Sequence, residues 1–146
     1  MNSDFKDLLR AFAKHGVKYL IAGGYAVIHH TQPRFTKDLD VWVQPTMENA
    51  RKVAAALREF GVPLIEVTEA DFAQEGTQFM IGRPPSAIDF LTSIPGLRFD
   101  DAWLNHVTDE DEGFPVHYLG RGDLKTAKKK AGRAVDLADL EELERD

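Results

Sequence analysis

The sequence predicts an α/β fold of the α+β type, with a mixed central sheet, flanking helices and a C-terminal helix pair. Apolar residues recur with a helical period in some segments and alternate in others, which predicts both helices and strands. These segments interleave too irregularly for a doubly wound parallel sheet. The length of 146 residues suits one domain, which we expect to span residues 1–146.

Two segments carry clear helical patterns. Residues 4–15 place apolar side chains at positions i, i+3, i+4 and i+7, and Gly16 then stops the helix. Residues 47–60 follow Thr46, a favourable N-cap, and precede Gly61, a favourable C-cap. The apolar residues of the first pattern are Phe5, Leu8, Leu9 and Phe12.

The remaining elements are shorter. Runs rich in Val, Ile and aromatic residues predict strands, and Gln32-Pro33 predicts a loop over residues 31–37. The predicted strands are residues 17–22, 39–44, 64–68, 78–81, 87–91 and 114–119. The other predicted helices are residues 25–30, 99–106, 124–132 and 137–144.

The composition excludes several classes of protein. Without Cys, the chain has no disulfide framework, no thiolate zinc site and no cysteine nucleophile. Its net charge of −6 argues against a protein that coats DNA or RNA by charge alone. No apolar stretch approaches the ~20 residues of a membrane span, and residues 1–14 lack an apolar signal core. We therefore expect a cytoplasmic protein.

The strand that follows the 31–37 loop carries two carboxylates. Because side chains alternate along a strand, Leu39, Val41 and Val43 share one face, which must be the core. Asp38 and Asp40 share the other face, roughly 7 Å apart along the strand. They repel each other unless a cation lies between them, and Mg²⁺ prefers such oxygen ligands. The alternative is an ordinary solvent-facing strand.

A glycine pair lies upstream of this strand. Gly23 and Gly24 end an apolar strand and open a helix, where free N–H groups favour phosphate. The loop that follows supplies Arg34, Thr36 and Lys37. A plain strand-to-helix turn is the alternative, but a phosphate-binding turn followed by basic groups and paired carboxylates suits a triphosphate with a metal ion.

A third carboxylate, Asp89, is the only charged residue of its predicted strand. A charge among apolar neighbours is costly unless it faces a cleft or a metal ion, or lies on a solvent-facing edge strand. If this strand pairs beside Asp38 and Asp40, the three carboxylates could hold two metal ions. Asp89 is then the candidate general base, or the ligand that orients the acceptor oxygen.

This combination resembles the nucleotidyltransferase superfamily that includes DNA polymerase β, kanamycin nucleotidyltransferase and the minimal bacterial nucleotidyltransferases. The resemblance covers residues 17–91, and a helical tail over residues 122–146 is similar to that of small single-domain members, including AbiEii-type toxin relatives. The matching residues are Gly23-Gly24, then Thr36-Lys37-Asp38-Leu39-Asp40-Val41, then Asp89.

The resemblance also assigns roles to the basic tail. A helical Lys, either Lys128 or Lys125, is expected to contact the nucleotide phosphates, with an Arg and an Asp of the tail fixing the helix pair against the core. A solvated basic helix face over residues 125–133 is the alternative. Where many members have Ser after the first Gly, this chain has Gly24, so the backbone and Thr36 are expected to hold the γ-phosphate.

The activity implied by the resemblance is transfer of a nucleoside monophosphate from an NTP, expected to be ATP, to an acceptor hydroxyl with release of pyrophosphate. Two Mg²⁺ ions, or Mn²⁺, would be held by Asp38, Asp40 and Asp89. The acceptor is a small molecule, a protein or an RNA end, not long DNA, and a small partner protein is possible. The alternatives are a catalytically silent protein of this fold that binds or regulates, for example in a toxin–antitoxin pair, and an ordinary α/β protein with an accidental motif.

Other notable residues are given structural roles. Adjacent helical residues such as His29 and His30 point ~100° apart and cannot easily chelate one ion. His106 and His117, like His15, show no spacing typical of metal ligands. Trp42 shares the face of the paired carboxylates, where it either lines the site or packs under a helix. The acidic run at residues 109–112 is expected to be a solvated turn.

Overall fold

The computed structural model describes residues 1–110 and 112–145. Asp111, in the predicted acidic turn, and Asp146, at the end of the predicted domain, lie outside the described residues. The strands are β1 Tyr19–Ala22, β2 Asp38–Val43, β3 Gln78–Ile81, β4 Ala87–Leu91, β5 Val107–Asp109 and β6 Val116–Tyr118. The helices are α1 Ser3–His15, α2 Gly23–His30, α3 Met47–Phe60, α4 Glu69–Phe72, α5 Phe99–Leu104, α6 Arg121–Ala131 and α7 Ala134–Glu144.

The six strands form one mixed sheet in the order β3-β4-β2-β1-β6-β5. Strand β2 lies near its centre, antiparallel to β1 and parallel to β4. Strand β1 is parallel to β6, whereas β3 and β5 run antiparallel to their neighbours β4 and β6 at the two edges. The predicted mixed sheet with flanking helices is confirmed.

One face of the sheet carries the main core. The predicted inward residues of β2, Leu39, Val41 and Val43, are all fully buried. Helices α1 and α3 pack against each other, and the ring of Phe12 contacts that of Phe90 at a centroid distance of 6.1 Å. The predicted caps of α3 are also confirmed, because Thr46 accepts a hydrogen bond from the Asn49 backbone.

The strand predicted over residues 64–68 is wrong. This segment has no strand; instead Thr68 caps the short helix α4, which was not predicted. The Thr68 hydroxyl accepts from the Asp71 backbone N–H, while the Asp71 carboxylate accepts from the Thr68 backbone N–H. This reciprocal capping box ends any extended pairing at Thr68. Val67 is buried and Ile65 is 82% exposed, so the apolar run that suggested a strand is a loop in which Val67 packs against the core.

Other elements differ mainly in their boundaries. Helix α2 begins two residues earlier than predicted, at Gly23, and α5 ends at Leu104 rather than at residue 106. The predicted strand over residues 114–119 shrinks to β6, because Pro115 has no N–H for a ladder bond. Strand β5, only three residues long, was not predicted. Within the described ranges, no helix is both long and apolar enough to span a bilayer.

Candidate active site

The three carboxylates singled out in the sequence lie on the sheet face opposite α1 and α3. In the parallel pairing of β2 with β4, Asp40 is directly opposite Asp89, and Asp38 is opposite Ala87. Because alternate residues of a strand share a face, Asp38, Asp40 and Asp89 project from the same side of adjacent strands. The conditional prediction that these two strands pair is confirmed.

Asp40 is the central carboxylate of the group. Burial raises its pKa, the negative charges of Asp38 and Asp89 raise it further, and the pKa reaches about 7. Lys128 and Arg133 oppose this shift and do not cancel it. The protein alone therefore leaves an excess of negative charge at this point, which favours a bound cation.

Asp89 is only 7% exposed. Its Oδ2 accepts a hydrogen bond from Gln78 Nε2 at 2.8 Å, whereas its buried Oδ1 has no hydrogen-bond partner in the described part of the chain. Burial raises the pKa of Asp89; the bond from Gln78 lowers it, and the charge of Asp38 raises it again. A buried oxygen without a partner is costly, so Oδ1 is suited to a ligand or a proton.

The two glycines make room for the site. Gly23 adopts φ +61°, a left-handed conformation that favours glycine, and a Cβ built there would overlap Asp40 Oδ2. A Cβ on Gly24 would overlap Thr36 Oγ1 and lie 3.2 Å from Arg34 Nη2. The pair thus brings the N-terminus of α2 against a carboxylate and a hydroxyl. Among the described residues, no side chain caps this helix terminus.

These groups surround a cleft with two lobes that share Gly23, Asp40, Lys128 and Arg133. The polar lobe, about 500 Å³, is otherwise lined by Gly24, Arg34, Phe35, Thr36, Lys37, Asp38 and Val135. The apolar lobe, about 320 Å³, includes Leu91, Ile94, Pro95, Leu124, Ala127 and Ala131. The polar lobe brings together every predicted phosphate-binding residue: Gly23, Gly24, Thr36, Lys37 and Lys128. Lys125, the other candidate of the tail, lines neither lobe.

Lys128 lies in a buried ionic network. Its Nζ is 3.2 Å from Asp136 Oδ1 and 2.9 Å from Asp139 Oδ2, and the residue is 8% exposed. Arg133 donates to Asp136 from Nε at 2.6 Å, and Arg34 donates to Asp139 from Nη2 at 2.9 Å. Although burial opposes the change, hydrogen bonds from Arg133 and Lys128 lower the pKa of Asp136. The network joins the 31–37 loop to α6 and α7.

The chemistry of the carboxylate group fits a hard divalent cation. Asp38, Asp40 and Asp89 offer oxygen ligands only, the charges of Asp38 and Asp89 add to burial in raising the pKa of Asp40, and Asp89 Oδ1 has no partner among the described residues. Over residues 1–110 and 112–145, however, no group of three or more His, Cys, Asp or Glu side chains is placed to hold a metal ion. Asp38 and Asp40 line the polar lobe, with Asp89 beside Asp40 across the ladder.

Trp42 packs under a helix rather than lining the cleft. It is 1% exposed, and its ring meets that of Phe99 in α5 edge to face at 5.1 Å. His29 and His30 also have separate structural contacts, as expected: the His29 ring stacks on Tyr118 at 4.1 Å, and His30 Nε2 lies 2.9 Å from the Leu119 carbonyl oxygen.

Two members of the site carry little signal in the sequence. Gln78 lies at the start of an edge strand, and only the antiparallel pairing of β3 with β4 brings it to Asp89. Asp139 is one of many acidic residues in α7, and its contact with Arg34 spans 105 positions of the chain. The helical spacing of Asp136 and Asp139, which share a face, is the one local hint.

No protein-family model and no curated protein matches the chain. Among solved structures, the chain is similar to the crystal structure of the lincosamide antibiotic adenylyltransferase LnuA with lincomycin bound. The TM-score is 0.63 at 14% sequence identity, and the match covers 99% of this chain and 96% of that chain. A likeness at this identity shows the fold. The chain has a mixed α/β fold of the nucleotidyltransferase type.

Proposed function

We propose that the protein is a nucleotidyltransferase that moves a nucleoside monophosphate from an NTP to an acceptor hydroxyl. The observation that carries this proposal is the polar lobe, where the uncapped N-terminus of α2 and the side chains of Arg34 and Lys37 face the paired carboxylates Asp38 and Asp40. Cations and free N–H groups suit a triphosphate, and adjacent carboxylates suit its metal ions. The fold shared with an adenylyltransferase supports ATP as the donor.

The triphosphate is assigned to the polar lobe. The N–H groups at Gly23 and Gly24 donate to phosphate oxygens, and the Thr36 hydroxyl and the Lys37 ammonium add a donor and a positive charge. Lys128 lies at the junction of the lobes, where its charge faces both the triphosphate and Asp40. The apolar lobe offers a surface for the flat face of the nucleobase or of the acceptor.

Asp38, Asp40 and Asp89 are the residues that would hold two Mg²⁺ or Mn²⁺ ions. When bound, such ions neutralise phosphate charge and lower the pKa of the acceptor hydroxyl. The chain's own contribution is to place carboxylates on two adjacent strands, so that they are held by the sheet rather than by loops.

In the transfer step the acceptor oxygen forms a bond to the α-phosphorus, and the bond from that phosphorus to the bridging oxygen of the β-phosphate breaks. Pyrophosphate leaves with the bonding electrons. The hydroxyl proton passes to Asp89 Oδ1 where that oxygen acts as the general base, and to solvent water where Oδ1 is a metal ligand that orients the acceptor oxygen; no described residue of the chain pairs with Oδ1, and burial raises the pKa of Asp89. Gln78 holds the other oxygen and so fixes the direction in which Oδ1 points.

The similarity to a lincomycin-bound enzyme supports a small-molecule acceptor. A protein or RNA acceptor and a small partner protein remain predictions from the sequence. A cytoplasmic location remains a prediction as well.

A catalytically silent binding or regulatory protein is the second candidate. It is favoured by the ion pairs that already engage Lys128 with Asp136 and Asp139, and by the absence, within the described ranges, of three carboxylates placed to hold a metal ion. Such a protein would bind Mg²⁺ and NTP without transferring the nucleotide. A role in a toxin–antitoxin pair would be one form of it.

The test is incubation of the full chain with α-³²P-labelled NTPs and Mg²⁺, offering lincosamides, aminoglycosides and fractionated small-molecule, protein and RNA extracts as acceptors. We expect labelling by ATP, reduced at least roughly 10²-fold in both Asp38→Asn and Asp40→Asn, because charge stabilisation of the transition state is lost. Asp101→Asn, the same change at an exposed position of α5, is the matched control and should retain activity.

Undiminished labelling by the Asp38→Asn/Asp40→Asn double variant would show that these carboxylates do not catalyse the transfer. Calorimetry separates the remaining outcomes. Binding of Mg²⁺ and ATP without labelling of any fraction would favour the silent protein, and no binding at all would mean that the motif is accidental.

A further inference from the structure

Three polar side chains meet near the β5 edge of the sheet, outside the cleft. His106 Nε2 lies 3.2 Å from His117 Nδ1, and Thr108 Oγ1 lies 3.2 Å from the first nitrogen and 3.0 Å from the second. The register of the β5–β6 pair brings two of these side chains together, because Thr108 of β5 is directly opposite His117 of β6. His106 immediately precedes β5, so its ring reaches the same pair.

The proton of the His106 ring is placed by a backbone contact. His106 Nδ1 is hydrogen-bonded to the carbonyl oxygen of Trp103, and a carbonyl oxygen only accepts, so Nδ1 carries the proton. In the neutral ring, Nε2 therefore presents its lone pair to His117 and Thr108. The Trp103 ring also stacks on His106 at 4.1 Å with an interplanar angle of 24°. Metal-ligating histidines are commonly oriented by such a bond from the other ring nitrogen.

The spacing of the donor atoms fits a tetrahedral ion. Two ligands bound at about 2.0–2.1 Å to one tetrahedral ion lie roughly 3.3 Å apart, and His106 Nε2 and His117 Nδ1 are 3.2 Å apart. We propose that these two nitrogens bind a transition-metal ion such as Zn²⁺, Ni²⁺ or Co²⁺, with the Thr108 hydroxyl at the third corner and solvent water completing the shell. His117 then adopts the tautomer with Nε2 protonated.

This site differs in chemistry from the carboxylate group of the cleft. Imidazole nitrogens suit Zn²⁺, Ni²⁺ and Co²⁺, whereas Mg²⁺ prefers oxygen ligands. The site has two imidazoles, which agrees with the finding that no group of three or more His, Cys, Asp or Glu side chains in the described residues is placed to hold a metal ion. Thr108 is exposed and both histidines are partly exposed, so an ion and its waters can enter from solvent.

No pattern in the sequence pairs these two histidines, and a plain hydrogen-bonded trio is the competing explanation. Calorimetric titration of the full chain with Zn²⁺, in excess Mg²⁺, distinguishes the two. We expect one Zn²⁺ per chain and a Kd that rises at least roughly tenfold in His117→Asn. Co²⁺ should give the visible absorption of a tetrahedral nitrogen-containing site. His15→Asn, a change at a partly exposed histidine of α1, is the matched control and should bind as the wild type does.

Failure of the wild type to take up Zn²⁺, or unchanged affinity in His117→Asn, would overturn the proposal and leave the hydrogen-bonded trio. A measurement on the wild type guards against misfolding of the variant. Long-range ¹H–¹⁵N spectra should show Zn²⁺ shifting His106 Nε2 and His117 Nδ1, and shifts confined to His29 and His30 would equally overturn it. None of these outcomes depends on nucleotide transfer.

Discussion

At the scale of single residues, the site is organised around Asp40. Its carboxylate lies against Gly23, whose lack of a side chain is what admits it. It also lies opposite Asp89 in the neighbouring strand, and both Asp89 and Asp38 disfavour its ionised form. Without a bound cation, an ionised Asp40 therefore costs the protein stability, a common feature of functional sites.

The raised pKa of Asp40 predicts a dependence of stability on pH. The pKa is about 7 in the folded protein against 3.8 for the free side chain, so the folded state binds the proton more tightly. The stability that protonated Asp40 contributes is fully present below pH ~4 and is lost as the pH rises through about 7. In EDTA, the free energy of unfolding of Asp40→Asn should therefore equal that of the wild type near pH 4. Above pH 7 it should exceed the wild-type value by roughly 4 kcal/mol at most.

Urea unfolding followed at several pH values measures this difference. Asp101→Asn, the same substitution at an exposed position of α5, serves as the matched control. A stability gain for Asp40→Asn that is the same at pH 5 and pH 8 would contradict the raised pKa.

At the scale of elements, ion pairs join α6 to α7 and join α7 to the 31–37 loop. Lys128 of α6 contacts Asp136 and Asp139 of α7, and Asp139 also binds Arg34 of the 31–37 loop. Three separate parts of the chain thus meet at the cleft. The tail is consequently part of the site and not an appendage to it.

Lys128→Met should destabilise the protein by roughly 2–4 kcal/mol, because two buried carboxylates lose a shared partner. The destabilisation should be smaller than if both carboxylates were left unpaired, since Arg133 still pairs with Asp136 and Arg34 with Asp139. Denaturant unfolding at pH 7 is the measurement. Lys125→Met, three positions earlier on α6, is the matched control and should change stability by at most about 0.5 kcal/mol. Equal stability of the two variants would show that the network contributes little.

At the scale of the whole molecule, the cleft is assembled from the sheet, the loop and the tail. Ligand that bridges these parts binds only the folded protein and should stabilise it. A non-hydrolysable ATP analogue with Mg²⁺, at about 100 times its Kd, should add about 2.7 kcal/mol, seen as a rise in Tm of several degrees. EDTA should abolish the rise if the ions bridge phosphate and carboxylates. An equal rise in the Tm of Asp38→Asn would show that the nucleotide binds away from Asp38.

Local patterns in the sequence were enough to predict much of this protein. Alternation in β2 determined that Leu39 and Val41 face the core and Asp40 faces away, because side-chain direction follows from the strand's own period. The caps Thr46 and Gly61 determined the bounds of α3. Predictions failed where the pattern was short, as at residues 64–68, since a short apolar run also occurs in loops.

Only the tertiary structure decided which distant residues meet. The contacts of Gln78 with Asp89, of Arg34 with Asp139 and of His106 with His117 depend on strand pairing or on helix packing. Pairing and packing are set by the whole core and leave no trace in the spacing of two residues along the chain. The sequence by itself therefore determined the acidic strand and its glycine turn, while the fold determined the partners of the acidic groups and brought together two histidines that the sequence left unrelated.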